Sequence, residues 1–223
     1  MNGVHKSVRL FGENLDEGMH ICTFFRSSAE RYRVLMPFIR EGMEQGDRAL
    51  HIINPALRSE HAQRIGEAGI DVVRAEGEGR LEIIGWDEVQ LRGGDFNQSV
   101  TLALFPVLLN DGRARGFAVT RLIVDMAWIV NDPRAVDQQL EYECRLNLAL
   151  PKARDIVMCS YDLDKVDAAT VIAAMRTHPV VLIGGIVQRN PFYVPPEELL
   201  KELNEGEPTE AGRTASATSL NDW

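Results

Sequence analysis

The run HICTFF, residues 20–25, contains a histidine and a cysteine whose spacing is suited to chemistry. A β-strand turns alternate side chains to the same face, so His20 and Cys22 are expected to lie side by side. Imidazole and thiolate bind zinc, iron or copper, and the same pair is suited to catalysis or to lining a ligand pocket. The structural alternative is a small buried cysteine beside a hydrogen-bonded histidine that supports the first strand.

A metal site at this strand needs at least one or two more ligands. Residues of suitable type are scattered along the chain: His51, His61, Cys144, Cys159 and His178. Since the sequence does not show which of them approaches His20 and Cys22, we predict no metal ligands, no cofactor and no catalytic residues. A metal-binding protein or an enzyme that uses this pair remains an alternative.

Side chains at the ends of two other apolar runs are further candidates. Asp125 ends the run FAVTRLIVD and is followed by Trp128, while Tyr161 lies near the end of DIVMCSYD. Parallel α/β sheets bind ligands beyond the carboxyl ends of their strands. We therefore expect Asp125, Trp128 and Tyr161 to line a ligand pocket there. The alternatives are a loop cap for Asp125 and packing against a helix for Trp128.

Two positions on predicted helices complete the candidate set. Glu143 and Asn147 are four residues apart and share a helix face, so Glu143 or Asn147 is expected to reach inward as a polar anchor, although a solvated glutamate is more usual. Arg26 precedes a helix that begins at Ser27 or Ser28 and is suited to hold a small anion. The predicted ligand-binding residues are His20, Cys22, Arg26, Asp125, Trp128, Glu143 and Tyr161.

Composition restricts the partners. The chain of 223 residues carries 33 acidic and 24 basic side chains, a net charge of -9 that disfavours direct binding to nucleic acid or to an anionic membrane. Its three cysteines are far apart and form no CxxC motif, so neither disulfides nor a zinc knuckle are indicated. No signal peptide and no apolar window of about 18 residues is present, and a cytoplasmic location is therefore expected.

Apolar runs alternate with helical patterns over most of the chain. Strands are predicted at 20–25, 48–54, 71–75, 81–86, 117–128, 155–162 and 180–185. Helices are predicted at 27–45, 54–69, 98–110, 132–150 and 167–178. Ser27 and Glu30 fit a capping box, and Pro37 is expected to bend the first helix. This order indicates a three-layer α/β domain over 15–203, with a mainly parallel sheet between helices, a flexible lead-in over 1–14 and a disordered polar tail over 204–223.

Seven strings of the sequence together resemble a known family. They occur in the order HICTFF, PFIREGMEQGDRALHI, DMAW, EYECRLN, CSYD, RTHP and RNPFYVPPEE, and they extend over about residues 15–201. In this respect the chain resembles the MEDS family, the DcmR-type sensory domain of methanogens and methylotrophs. The resemblance implies a ligand-sensing module of signal transduction, one that is usually fused to a DNA-binding domain or a histidine kinase and is proposed to sense small hydrocarbon derivatives.

The family is also distantly similar to RecA/KaiC-type ATPase domains, in which RLIVD would correspond to a Walker B strand. A phosphate-binding loop requires G-x-x-x-x-G-K-[ST] after the first strand, because its backbone cradles the phosphates and its lysine neutralises them. Here that place reads FFRSSAER, with neither glycine nor lysine. The resemblance therefore implies a RecA-like fold without Walker A, and we do not expect ATP hydrolysis.

Taken together, these observations predict a non-catalytic sensory domain that binds a small organic ligand, such as a simple hydrocarbon derivative. Short polar segments flank the domain, so a signalling protein, a kinase or a regulator, is expected to carry the output. A homodimer is a further expected partner. The main alternative is an adaptor without a ligand that regulates a kinase or sigma-factor pathway.

Overall fold

The structure, a computed structural model, describes residues 8–10, 13–15, 19–131, 135–150 and 154–206. The strands are β1 (Val8–Leu10), β2 (Glu13–Leu15), β3 (Met19–Phe25), β4 (Arg48–Ile53), β5 (Leu81–Gly85), β6 (Thr120–Asp125), β7 (Ile156–Asp162), β8 (Val180–Ile183) and β9 (Ile186–Arg189). The α-helices are α1 (Ser28–Gln45), α2 (Arg58–Glu67), α3 (Val72–Gly77), α4 (Gln98–Ala114), α5 (Ala135–Ala149), α6 (Ala168–Thr177) and α7 (Pro196–Gly206). Short 3₁₀ segments precede α2 and follow β5 and β6.

Seven strands form one sheet in the order β5-β4-β6-β7-β3-β8-β9. All neighbouring strands are parallel except β8 and β9. The predicted class, a mainly parallel sheet with helices on both faces, is confirmed. The central strands are buried along their whole length, and this explains why their sequences are continuously apolar rather than alternating.

Alternation along the strands divides the apolar core between the two faces of the sheet. On β3, Ile21 packs on the face covered by α1, α2 and α3, which we call the back face. Cys22 and Phe24 pack on the front face, which α4, α5 and α6 cover. The position of a residue along its strand therefore determines which face its side chain lies on. Only candidate residues on the same face can contact one another.

The first helix begins and ends as its sequence predicts. The Ser27 side chain accepts the backbone N–H of Glu30, and the Glu30 carboxylate accepts the N–H of Arg26. The helix ends at Gly46, whose φ of 78° is accessible to glycine at little cost. The helix continues through Pro37, and this proline is exposed.

The segment 71–75, predicted to be a strand, instead begins α3, and that prediction is wrong. The Asp71 side chain accepts the N–H of Arg74 and so caps a helix, while the place beside β4 belongs to β5. Val73 belongs to α3 rather than to a strand of the sheet, and its side chain is 82% exposed.

Three further elements differ from the predicted set. Residues 8–15 contain an antiparallel pair, β1 and β2, within the predicted lead-in. Two glycines at 184–185, both with positive φ, reverse the chain into β9. The last helix runs to Gly206, beyond residue 204 where the tail was expected to begin. Residues 207–223 and the predicted Asp132–Pro133 helix start lie outside the described residues.

Candidate functional site

Four polar side chains from four elements meet beneath α5 and α6 on the front face. His20 comes from β3, Glu143 from α5, Cys159 from β7 and His178 from the residue that follows α6. Each is at most 2% exposed, and each offers one donor atom within 4.8 Å of the others. We call this group the His–Glu–Cys cluster.

The imidazole of His20 is central to the cluster. Its Nε2 lies 3.2 Å from Glu143 Oε2 and 3.4 Å from Cys159 Sγ. On the other side of the carboxylate, His178 Nε2 lies 4.0 Å from the same Glu143 oxygen. The two imidazole rings are 3.9 Å apart between centroids. Four donor atoms of three chemical types thus surround one small volume.

Hydrogen bonds outside the cluster fix which nitrogen of each imidazole carries the proton. Asn147 Nδ2 donates to Thr177 O, so Asn147 Oδ1 faces His20 Nδ1 at 3.0 Å and accepts its N–H. His178 Nδ1 lies 2.8 Å from Ala174 O, which can only accept. In the tautomer that these contacts select, each ring directs its Nε2 to the interior of the cluster.

The atoms at the centre of the cluster lack partners. Both oxygens of Glu143 and the Nε2 of His178 make no hydrogen bond within the part of the chain that the structure describes. Burial raises the pKa of the Cys159 thiol well above its ordinary value and lowers the pKa of His178 well below its own. Since most buried polar groups are hydrogen-bonded, the unpartnered atoms of Glu143 and His178, two residues at 0% exposure, call for an explanation.

Comparison with known proteins places the chain in a family. The model of the MEDS domain, described as "MEthanogen/methylotroph, DcmR Sensory domain", matches residues 19–179. The chain belongs to the MEDS family. The transcriptional repressor DcmR of Methylorubrum extorquens is 22% identical over 160 residues, which are 71% of this chain and 57% of the repressor. The chain therefore spans a little over half the length of that relative. Similarity to a sensory domain and to a repressor indicates a regulatory role.

Solved structures show the fold of this MEDS domain. A KaiC-like protein of Pyrococcus horikoshii superimposes with a TM-score of 0.55 at 16% identity, covering 75% of this chain and 72% of that one. The flagellar accessory protein FlaH of Methanocaldococcus jannaschii gives 0.52 at 12% identity, covering 81% and 83%. The predicted RecA-like architecture is thereby confirmed. Among the described helices, none has the length and apolar character needed to cross a bilayer.

Of the predicted ligand-binding residues, the structure brings two into the cluster of this MEDS domain and two beside it. His20 and Glu143 are members. Cys22 lies on the same strand face, but its Sγ donates to Val180 O at 3.8 Å. The Tyr161 ring stands edge-on to His178 at 6.2 Å, and its hydroxyl accepts a hydrogen bond from Gln139 Nε2.

The other three predicted residues lie elsewhere. Asp125 ends β6 on the back face, where one oxygen accepts from Arg31 Nη1 at 3.1 Å and the other from the N–H of Ala127. Trp128 is buried on the front face against Phe96, at 4.6 Å between ring centroids. Arg26 is exposed after β3. The structure does not bring these side chains to the cluster.

The cluster also lies at a different level of the sheet from the predicted pocket. His20 is the second residue of β3, and His178 comes just before β8, so the cluster lies near the amino ends of those strands. The pocket was expected at the carboxyl edge. The difference arises because α6 leads directly into β8 through His178 and Pro179, so that His178 reaches the start of β3 rather than its end.

Sequence reasoning considered Cys159 and His178 as scattered residues and did not place them in the site. The available signals were the period-two relation of Cys159 to Tyr161 and the RTHP string. Neither shows that β3 and β7 are neighbours, a pairing that places Cys159 opposite Cys22 and brings its sulfur to His20 across 139 residues of sequence.

The corner that would hold a nucleotide in a RecA-like ATPase is arranged differently. Arg31, in the first turn of α1, is 6% exposed and pairs with Asp125, the carboxylate that ends the RLIVD strand. The chain thus neutralises this aspartate with its own guanidinium. Together with the absence of glycine and lysine after β3, this pair gives no support to phosphate binding there.

The back face holds a second group of buried polar side chains, connected in a row. Tyr32 Oη lies 3.0 Å from His61 Nδ1, and His61 Nε2 lies 2.9 Å from His51 Nδ1. Burial lowers the pKa of His51 to about 3 and that of His61 well below its ordinary value, and the Arg31 charge adds to both effects. Both imidazoles are therefore neutral in the folded protein at neutral pH.

The two back-face histidines make stability depend on pH. A histidine whose pKa is lowered on folding binds a proton more readily in the unfolded chain. Its contribution to the free energy of unfolding is therefore present above its unfolded pKa of about 6.5 and is lost as the pH falls below that value. For His51 alone we expect a loss of roughly 2 kcal/mol between pH 6.5 and 5. Urea unfolding at both values should show it, and His51→Leu should have a shallower pH dependence than the parent. An unchanged dependence in that variant would contradict the assignment.

A surface recess of about 460 Å³ lies away from these residues, near the starts of β4 and β5. It is lined by the end of α1, by residues 68–71 between α2 and α3, and by α3 and the residues after it, and includes Arg40, Arg74 and Arg80. None of the predicted ligand-binding residues contributes to it.

Proposed function

We propose that this MEDS domain is a non-catalytic, cytoplasmic sensory module that binds a small molecule at the His–Glu–Cys cluster and transmits binding to a partner protein. The supporting observation is the set of unpartnered donor atoms of Glu143 and His178 at the centre of a fully buried group. In a family of sensory domains, such a group is best explained as part of a recognition site.

The surroundings of the cluster suit a small and partly apolar ligand. The polar atoms are few and convergent, and side chains such as Cys22 and Tyr161 lie around them in the front-face core. Small-molecule sites commonly combine an apolar lining with a small number of placed polar groups. A one-carbon or halogenated hydrocarbon derivative matches this character better than a nucleotide or a sugar.

Contacts from the cluster lead to the last helix. Glu143 and Asn147 belong to α5, which packs against both α6 and α7. Arg176 at the end of α6 forms an ion pair with Glu202 of α7, and its carbonyl accepts the N–H of Val194. A ligand that draws Glu143 and His178 together would shift α5 relative to α6 and change the position of α7. A kinase or a regulator that binds the exposed side of α7 would detect this change of position.

Non-catalytic action is supported by the relatives and by the nucleotide corner. The curated relative is a transcriptional repressor, and the likeness to the solved structures concerns the fold alone. Asp125 corresponds to the carboxylate that an ATPase would use to bind its metal, and here it forms an ion pair with Arg31. The proposal therefore requires recognition at the cluster and no turnover.

A thermal-melting screen tests ligand binding. A compound that binds only the folded state at a hundred times its dissociation constant stabilises by about 2.7 kcal/mol, roughly 5–10 °C for a domain of this size. We expect such a shift from at least one member of a panel of one-carbon and halogenated compounds, and we expect Glu143→Gln to abolish it. Glu141→Gln is the matched control, since Glu141 lies on the same helix but pairs with Arg145 at the surface.

No shift with any compound, or an equal shift in Glu143→Gln, would contradict binding at the cluster. The second candidate, an adaptor without a ligand, would then be favoured. It has support in the apolar side chains exposed around edge strand β9, namely Ile183, Ile186 and Phe192, because exposed edges and apolar patches are places where other chains dock.

A further inference from the structure

The His–Glu–Cys cluster contains the donor types of a transition-metal centre. Imidazole nitrogen, thiolate sulfur and carboxylate oxygen are each ligands of zinc, and other divalent ions of its row bind them as well. We propose that His20, Glu143, Cys159 and His178 bind one divalent transition-metal ion of the zinc class. This inference rests on the proposed function in placing the sensing site at these side chains, and it adds the ion through which sensing would occur.

The distances between the donors are close to those that a four-coordinate ion requires. Bonds of about 2.0–2.3 Å in a tetrahedral arrangement place neighbouring donor atoms roughly 3.3–3.8 Å apart. His20 Nε2 lies 3.2 Å from the Glu143 oxygen and 3.4 Å from the Cys159 sulfur, and the His178 nitrogen is 4.0 Å from that oxygen. The remaining separations are at most 4.8 Å, so shifts of up to about an ångström would bring the four donor atoms to the spacing of a tetrahedral site.

The orientation of both imidazoles is that of metal ligands. A metal-bound histidine usually donates its other ring N–H to a carbonyl or carboxylate, which fixes the ring and its tautomer. His20 Nδ1 donates to Asn147 Oδ1, and His178 Nδ1 donates to Ala174 O. Each Nε2 is thereby left with its lone pair directed at the other donors. The Nε2 of His20 meets the Cys159 thiol at 3.4 Å, whereas the Nε2 of His178 has no hydrogen-bond partner among the described residues.

Charge leads to the same conclusion. A thiolate and a carboxylate bring two negative charges, which a divalent ion neutralises, whereas the two neutral imidazoles add none. Among the described residues, the imidazoles of His20 and His178 approach the Glu143 carboxylate, and no lysine or arginine is paired with it. The Glu143 side chain is 0% exposed and its oxygens accept no hydrogen bond within the described residues, so an ion bound to them would offset the cost of burying the carboxylate.

The ion would also connect the elements that the proposed function requires to move. Its four ligands come from β3, α5, β7 and the end of α6. Glu143 is the one ligand of the four carried by α5, so a small molecule that binds at the ion and draws Glu143 and His178 together would shift that helix against the sheet. The metal thus supplies a physical basis for coupling between ligand and α5.

The test uses the tag-free full chain, stripped of metal with a chelator and titrated with Co²⁺ alone. We expect one Co²⁺ per chain, a near-ultraviolet thiolate-to-cobalt absorption band and a higher melting temperature with Co²⁺ or Zn²⁺. Cys159→Ala should lose the band, whereas Cys22→Ala should retain it. Cys144→Ala on α5 is a second cysteine control. Asn147→Ala should keep the band but weaken Co²⁺ affinity roughly 10–100-fold, as loss of a supporting hydrogen bond does.

Absence of stoichiometric Co²⁺ binding, or a band that persists in Cys159→Ala, would overturn the proposal. Circular dichroism of the metal-free variants checks folding, and if Cys159→Ala is unfolded, His178→Gln is read for loss of affinity instead. If no metal binds while the compound panel still produces a shift that depends on Glu143, the metal inference fails and the proposed function stands. If Co²⁺ binds at these four residues while no compound produces a shift, the metal inference stands and the proposed small-molecule binding fails.

Discussion

Replacing Asp125 by alanine is expected to lower the free energy of unfolding by roughly 3–5 kcal/mol, the usual cost of removing one partner of a buried ion pair. The side chains of Arg31 and Asp125 are 7% and 3% exposed, so the guanidinium would be left buried without a counter-charge. The variant also loses the hydrogen bond from the N–H of Ala127 that Asp125 accepts. Urea unfolding at pH 7 would measure the loss.

A double replacement separates this charge effect from simple loss of contacts. Replacing both partners, as Arg31→Met with Asp125→Leu, should recover most of the stability, because no uncompensated charge remains in the core. An Asp125→Ala variant that is as stable as the parent would contradict the structural role. It would also restore Asp125 as a candidate for ligand binding at the carboxyl edge.

Trp128→Ala is the second substitution with a large expected effect. The indole is fully buried in the front-face core and packs against Phe96, so its removal leaves a cavity. Large-to-small changes of this kind cost about 3–5 kcal/mol. Because Trp128 supplies no donor atom to the His–Glu–Cys cluster and packs its ring against Phe96, the site should be preserved where the protein remains folded. Denaturant unfolding and Co²⁺ titration of the same variant measure the two effects independently.

Trp128→Phe is the matched control for volume. It retains an aromatic ring against Phe96 and removes the indole N–H, which makes no hydrogen bond within the described residues. We expect a loss below about 2 kcal/mol, because the smaller cavity is partly offset by removal of an unpartnered donor. A loss equal to that of Trp128→Ala would show that the indole N–H matters and would contradict the packing interpretation.

Much of the fold could be predicted because its signals are local. The strands at 20–25 and 155–162 are continuously apolar, and Ser27 caps the first helix as expected. The failure at 71–75 arose from two valines that suit a strand, while the deciding contact was the Asp71 cap. β9 was missed because an exposed edge strand need not be apolar, and its four residues are largely exposed.

For the candidate site, periodicity placed side chains correctly on their own elements. His20 and Cys22 share a strand face, and Glu143 and Asn147 both point inward from α5 and approach His20. Periodicity could not show that Asp125 faces the other side of the sheet from His20. That distinction depends on how β3 and β6 are set in the sheet.

The amino-acid sequence by itself determined the α/β class, the cap of the first helix and the alternation of faces along each strand, because these follow from composition and local spacing. Its seven motif strings indicated the family. Only the tertiary structure decided that Cys159 and His178 join His20 and Glu143. The physical reason is strand order: β3 lies between β7 and β8, so residues far apart in the chain meet across neighbouring strands. HICTFF thus contributes one histidine to a four-residue donor set, and its cysteine lies beside that set in the core.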